Sequence, residues 1–143
     1  MPLGDPHGGF FEYTVEGLPE GLAGAFVPVK ETERAARFYT RVLKMEMISD
    51  DGDTAVVGRN GFYLVLKKSQ IVGFDTGIMF GVDNPYDLHR RLIDEGVVFV
   101  RDPLRGPIGV YTSFRDDDGN VLHAVDRRAM GQKIDPPERD PGQ

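Results

Sequence analysis

The chain switches between two spacings of apolar residues, and the switch occurs twice. "AFVPV" at 25–29 sets Ala25, Val27 and Val29 on one side of an extended segment, the period of two that marks a half-buried strand. "ETERAARFYTRVLKM" then moves to helical spacing, with Ala35, Phe38, Tyr39, Val42 and Leu43 as one apolar stripe. Three strand-like runs follow, "EMISD", "TAVVGR" and "GFYLVLKK", with Asp-Gly and Asn-Gly pairs marking the turns. After "SQIVGFDT" the pattern restarts: "GIMFGV" predicts a strand and "NPYDLHRRLIDEG" a helix. In that helix Asn84 is placed to cap the N-terminus, Pro85 to occupy its first position and Gly96 to end it. "VVFV", "GVYTSFR" and "NVLHAV" predict the closing strands.

The order is therefore β-α-β-β-β, twice, and the halves align residue by residue. A shift of 53 lays Gly24, Ala25, Val27 and Val29 on Gly77, Ile78, Phe80 and Val82. A shift of 58 lays "NGFYLVL" on "DGNVLHA", with Asn60 on Asp118, Gly61 on Gly119 and Val65 on His123. Two matches at equivalent places predict a duplicated module and an α+β fold. The predicted organisation is an extension over 1–20, a body over 21–127 (module one 21–70, module two 71–127) and a polar, Pro-rich tail over 128–143. Within the extension, "FFEYTV" has the alternation of a short extra strand.

Composition narrows the partners. A chain of 143 residues with net charge -6 repels phosphate backbones and anionic lipid, so neither nucleic acid nor a membrane is an expected partner. The start "MPLGDPHGGFF" lacks the basic and apolar stretches of a secretion signal, and cytoplasmic localisation is the expectation. With no cysteine, disulfides, thiolate metal sites and cysteine nucleophiles are excluded. "DDDGN" is not a calcium loop, since counting from Asp116 puts Val121 at the loop's glycine and Arg127 at its glutamate.

Three stretches, "VPVKETERAARFYTRVL", "GVDNPYDLHRRLIDEGVVF" and "FRDDDGNVLHAV", occur in the order and at the intervals of one family. In them the chain resembles the vicinal oxygen chelate superfamily of glyoxalases, bleomycin-resistance proteins and extradiol dioxygenases. The resemblance implies two tandem βαβββ modules whose mixed sheets curl round a cleft, often in a homodimer. It also implies four metal-ligand positions, on the first and last strand of each module. Carried onto this chain they are Gly24, Val65, Gly77 and His123, of which one has a donor side chain. A divalent ion needs about three or more protein ligands, so no metal and no other cofactor is expected.

Strand parity supplies the cleft face independently. Opposite the core-facing sets lie Gly24, Phe26 and Pro28; Tyr63, Val65 and Lys67; Gly77, Met79 and Gly81; Tyr111, Ser113 and Arg115; and Val121, His123 and Val125. This set is aromatic, apolar and small, which suits a partly apolar organic ligand held by Phe26, Tyr63, Met79, Tyr111 and His123. His123 is the candidate catalytic residue, because an imidazole titrates near neutral pH. Each of these positions also has a structural alternative, such as core filling or, for Arg115, an ion pair with Asp116 or Asp118. His7 and His89 are not expected to complete a site, His89 lying at the solvent edge of its helix. Metal-free binding of a small organic molecule is the leading expectation. A metal-dependent or His-based lyase, isomerase or dioxygenase of the same superfamily is the alternative, with Tyr63 or Tyr111 as acid, and whether the protein is an enzyme stays open. An interaction module is a third class, which no charge run or amphipathic excess supports.

Overall fold

The apolar runs from Ala25 onward form strands and helices in the expected order, in a computed structural model that describes residues 17–128. The order is β1 (Ala25–Val29), α1 (Thr32–Arg41), β2 (Glu46–Asp50), β3 (Thr54–Arg59), β4 (Phe62–Lys68), β5 (Asp75–Val82), α2 (Pro85–Asp94), β6 (Phe99–Gly106), β7 (Gly109–Arg115) and β8 (Val121–Asp126). "FFEYTV", His7 and the tail beyond Arg128 lie outside the described residues. The strands make two four-stranded mixed sheets, β1-β4-β3-β2 and β5-β8-β7-β6, which do not close on each other. In each, the first and last strands pair in parallel and the rest antiparallel.

The duplication seen in the sequence is also a duplication of hydrogen-bond register. Phe26 pairs with Val65 and Val27 with Leu66 in the first sheet. Met79 pairs with His123 and Phe80 with Ala124 in the second. These are the positions that the two shifts connect.

Three elements differ from the sequence expectation. Helix α1 stops at Arg41, although the apolar stripe continues to Leu43. There the chain turns through Lys44 at φ 59, and the Met45 N–H reaches back to the Tyr39 carbonyl at 3.0 Å. That left-handed position after a helix favours glycine. Replacing Lys44 by Gly is expected to raise stability by about 0.5–1 kcal/mol in urea unfolding, through relief of the Cβ clash. Strand β5 begins at Asp75, two residues before the predicted start. Strand β6 runs on to Gly106, with register shifts on both sides of Arg101 that absorb Asp102 and Pro103. Helix α2 begins as expected, the Asn84 side chain accepting from the Tyr86 N–H at 2.9 Å.

The core-facing sides of both sheets meet in one cluster that includes Val27, Leu64, Leu66, Tyr39, Leu92, Phe114 and Leu122. A buried polar clasp joins the modules beside it. Asp116 accepts from the Tyr39 hydroxyl at 2.6 Å, and Asn120 Nδ2 donates to the Pro28 carbonyl at 2.7 Å. Asn120 Oδ1 accepts from the N–H groups of Gly73 and Phe74, which fixes the linker between modules. Burial first, and then the Asp116 carboxylate, push the Tyr39 phenol well above its ordinary range, so it stays a donor. The acidic turn "DDDGN" is this clasp. Arg115, expected to pair with Asp116 or Asp118, instead donates to the Gly119 carbonyl at 2.8 Å and closes the same turn.

Candidate functional site

Opposite the packed core-facing sides, the other face of each sheet is exposed in part: Phe26, Tyr63 and Met79 stand in solvent, whereas Ser113, Val121 and Val125 are buried. On the first sheet that face carries Phe26, 71% exposed, and Tyr63, 45% exposed, on neighbouring strands. The Tyr63 ring lies flat across Gly58, where a Cβ would come within 2.7 Å of Cδ1. Gly24 is tight against backbone instead, since a Cβ there would stand 2.9 Å from the Tyr63 carbonyl oxygen. A side chain at position 24 would therefore require the backbone of β4 to shift.

On the second sheet the strand register places Arg101, Ser113, His123 and Met79 in one row across all four strands. A second row holds Leu104, Tyr111, Val125 and Gly81. The Tyr111 ring covers Gly106, and the Arg101 guanidinium lies over the ring at 5.2 Å, with Nη1 3.2 Å from the phenol oxygen. The two tyrosines thus repeat one device, an aromatic ring laid over a glycine of the adjoining strand.

His123 is held on both ring nitrogens. Nε2 lies 2.7 Å from Asp75 Oδ1, and Nδ1 lies 2.7 Å from Ser113 Oγ. An ionised carboxylate only accepts, so Nε2 carries a proton, and in the neutral ring Nδ1 accepts from the serine hydroxyl. Asp75 also accepts from the Gly77 N–H at 3.0 Å. The His123 hydrogen bond, followed by that of Gly77, holds the Asp75 carboxyl below its usual range, with Arg101 adding to the effect. Stability from a depressed carboxylate is present above its unfolded-state value and is lost as pH falls through the folded-state value. The stability difference between wild type and Asp75→Asn should therefore be widest near neutral pH and close on acidification through and below the ordinary carboxylate range. Unfolding titrations at several pH values check this, and His123→Gln should shrink the difference at neutral pH. The effect is small because Asp75 is exposed and solvent screens it.

The metal centre that the resemblance implies does not fit these residues. Gly24, Val65 and Gly77 offer no donor, and both nitrogens of His123 are committed to Asp75 and Ser113. Asp75 adds at most a second donor, and among the described residues no group of three His, Asp or Glu is placed to hold an ion.

Of the five sequence-derived ligand residues, Phe26 and Tyr63 share one sheet face, and Met79, Tyr111 and His123 share the other. A cavity of about 380 Å³ opens on the core-facing side between the modules, and none of the five lines it. Asp75 and Arg101 are the residues that sequence reasoning missed. Asp75 has the parity of Gly77 and Met79, and one more step back along the strand would have found it. His89, expected at a solvent edge, packs edge-on against Phe99 at 4.4 Å, with Nε2 3.3 Å from Asp102.

Paired βαβββ modules with a shared core and outward sheet faces define a fold class whose members are recognisable by sequence. The model of the Glyoxalase/Bleomycin resistance protein/Dioxygenase superfamily matches residues 21–124, and the chain belongs to that superfamily. Among solved structures it is similar to TnmS3, an antibiotic binding protein from a Streptomyces species, at 24% identity and TM-score 0.67, over 76% of this chain and 96% of that one. It is also similar to the bleomycin-binding protein of bleomycin-producing Streptomyces verticillus, solved with copper(II)-bleomycin. There the identity is 20% and the TM-score 0.65, over 76% of this chain and 98% of that one. The lactoylglutathione lyase of Agrobacterium tumefaciens gives 16% identity and TM-score 0.67, over 80% of this chain and 98% of that one. At these identities the likeness is one of fold. Among curated proteins none matches the chain. No helix among the described residues is long and apolar enough to cross a membrane.

Proposed function

We propose that the protein binds a small, partly apolar organic molecule on its open sheet faces, without a metal, as a homodimer whose partner copy closes over those faces. The observation that carries this reading is the exposure of Phe26, Tyr63 and Met79 on the side opposite the core. Large apolar groups left in water, Phe26 and Met79 on edge strands and Tyr63 on the strand beside β1, favour burial against something. A ligand alone covers one face, whereas a second copy brings Phe26 and Tyr63 of one chain toward Met79, Tyr111 and His123 of the other. The antibiotic-binding and bleomycin-binding proteins of the same fold support a binding role. The cytoplasm and the division into an extension, a body over 21–127 and a tail belong to the same reading.

Native mass spectrometry of protein purified without chelator tests all three parts. The expected spectrum is a dimer carrying an organic adduct that Tyr63→Ala loses. Stoichiometric zinc, nickel, iron or manganese would overturn the metal-free part, and a monomer at micromolar concentration the dimeric part.

One observation favours the enzymatic alternative. The Asp75–His123–Ser113 chain fixes the tautomer and orientation of the imidazole, as an acid–base residue requires. In that reading the wild type converts its bound molecule, and His123→Gln keeps it with its mass unchanged.

A further inference from the structure

The cavity between the modules has a charge opposite to that of the chain. It is lined by Lys44, Arg59, Arg91 and Arg127 against the single carboxylate of Asp83, in a protein of net charge -6. Arg127 Nε pairs with Asp83 at 2.7 Å. Lys44, Arg59 and Arg91 have no carboxylate within ion-pair distance among the described residues. Between the cations the wall is apolar. Phe62 of module one and Phe80 of module two lie 5.8 Å apart, and Leu88 and Leu92 continue the surface along α2.

The backbone adds a second, independent observation. Lys44 at φ 59 and Asn60 at φ 50 are the non-glycine residues with left-handed φ among the described residues, and both line this cavity. Asn60 precedes Gly61 in an Asn-Gly turn, where that conformation is ordinary. Lys44 occupies the position after α1 at which glycine is favoured, and its carbonyl accepts from Arg59 Nη1 at 3.0 Å. That bond ties the end of the helix to the β3–β4 hairpin and brings two of the cations together. Unpaired like charges around an apolar cavity repel one another, and an anion with an apolar body relieves that repulsion while covering the wall.

We propose that this cavity is a second ligand site, separate from the sheet faces, for an amphipathic organic anion. Its carboxylate or sulfonate would meet Lys44, Arg59 and Arg91, and its apolar part would cover Phe62 and Phe80. A volume of about 380 Å³ falls in the range of small-molecule sites.

Decanoate is the probe, titrated calorimetrically into the full chain. The expected result is one saturable site per chain, with decyltrimethylammonium, of equal chain length and opposite charge, binding at least about tenfold more weakly. Arg59→Ala and Arg91→Ala should each weaken decanoate about five- to tenfold, as should Lys44→Gly, which keeps the fold. Should an arginine variant not fold, raising the ionic strength must weaken decanoate binding to the wild type. Amide shifts should move around residues 42–45, 59–62 and 80–83. Absence of saturable binding below millimolar decanoate, equal binding of the two amphiphiles, or shifts confined to 121–125 overturns the proposal.

Discussion

Asn120→Ala is expected to remove about 3–5 kcal/mol of stability. The Asn120 side chain is fully buried and makes four hydrogen bonds. It accepts from two N–H groups of the linker, and it donates to Pro28 of module one and to Asp116 of its own turn. Truncation leaves the Gly73 and Phe74 N–H groups and the Pro28 carbonyl without this partner. Tyr39→Phe is the milder comparison, at about 1–2 kcal/mol, because Asp116 Oδ2 keeps its bond from Asn120 at 3.1 Å. Asn120→Asp replaces a donor with an oxygen facing Asp116. It should be severe at neutral pH and partly recover on acidification, when the new carboxyl regains a proton to donate. Urea unfolding of the three variants at two pH values checks the ranking, and an Asn120→Ala loss below that of Tyr39→Phe would remove the clasp from the account.

The fold was legible because its information is local and repeated. Spacing of two or of 3.6 identifies each element, and the two sequence shifts imply the parallel register that pairs Phe26 with Val65 and Met79 with His123. What stayed hidden depends on tertiary partners or on breaks in regularity. "DDDGN" reads as a turn, and its role as a clasp needs Tyr39, which lies 77 residues away from Asp116 in the chain. Asp75 was obscured because β5 contains a left-handed Gly77 and a register break, where a strand reading naturally stops. Arg101 was obscured by Pro103, which reads as a loop in "RDPLRG" but sits at an irregularity of β6. His123 was placed on the right face by parity alone. That both of its nitrogens are occupied depends on Asp75 and Ser113, brought to it by the fold, and that fact changes its chemistry from an available ligand to a positioned ring.

Phe26→Asp is expected to abolish the proposed dimer at micromolar concentration, a weakening of more than about a hundredfold, while leaving the fold of the single chain intact. Phe26 lies on the parallel pair of the first sheet, beside the Tyr63 ring, and contributes nothing to the core cluster. Its backbone is held by the β1–β4 ladder whatever the side chain, so circular dichroism and unfolding midpoint should stay near those of the wild type. In a dimer closed over the sheet faces, the same position is buried against the partner copy. There a truncated aromatic costs about 2–4 kcal/mol, and a carboxylate adds its own desolvation. By symmetry the change occurs twice, once in each half of the interface. Sedimentation velocity reads the outcome directly, and the organic adduct should be lost in the same variant. A wild-type dimer that Phe26→Asp leaves unchanged would place the subunit contact elsewhere. The open sheet faces would then have to bind their ligand as a one-sided surface, with Asp75, His123 and Arg101 facing solvent.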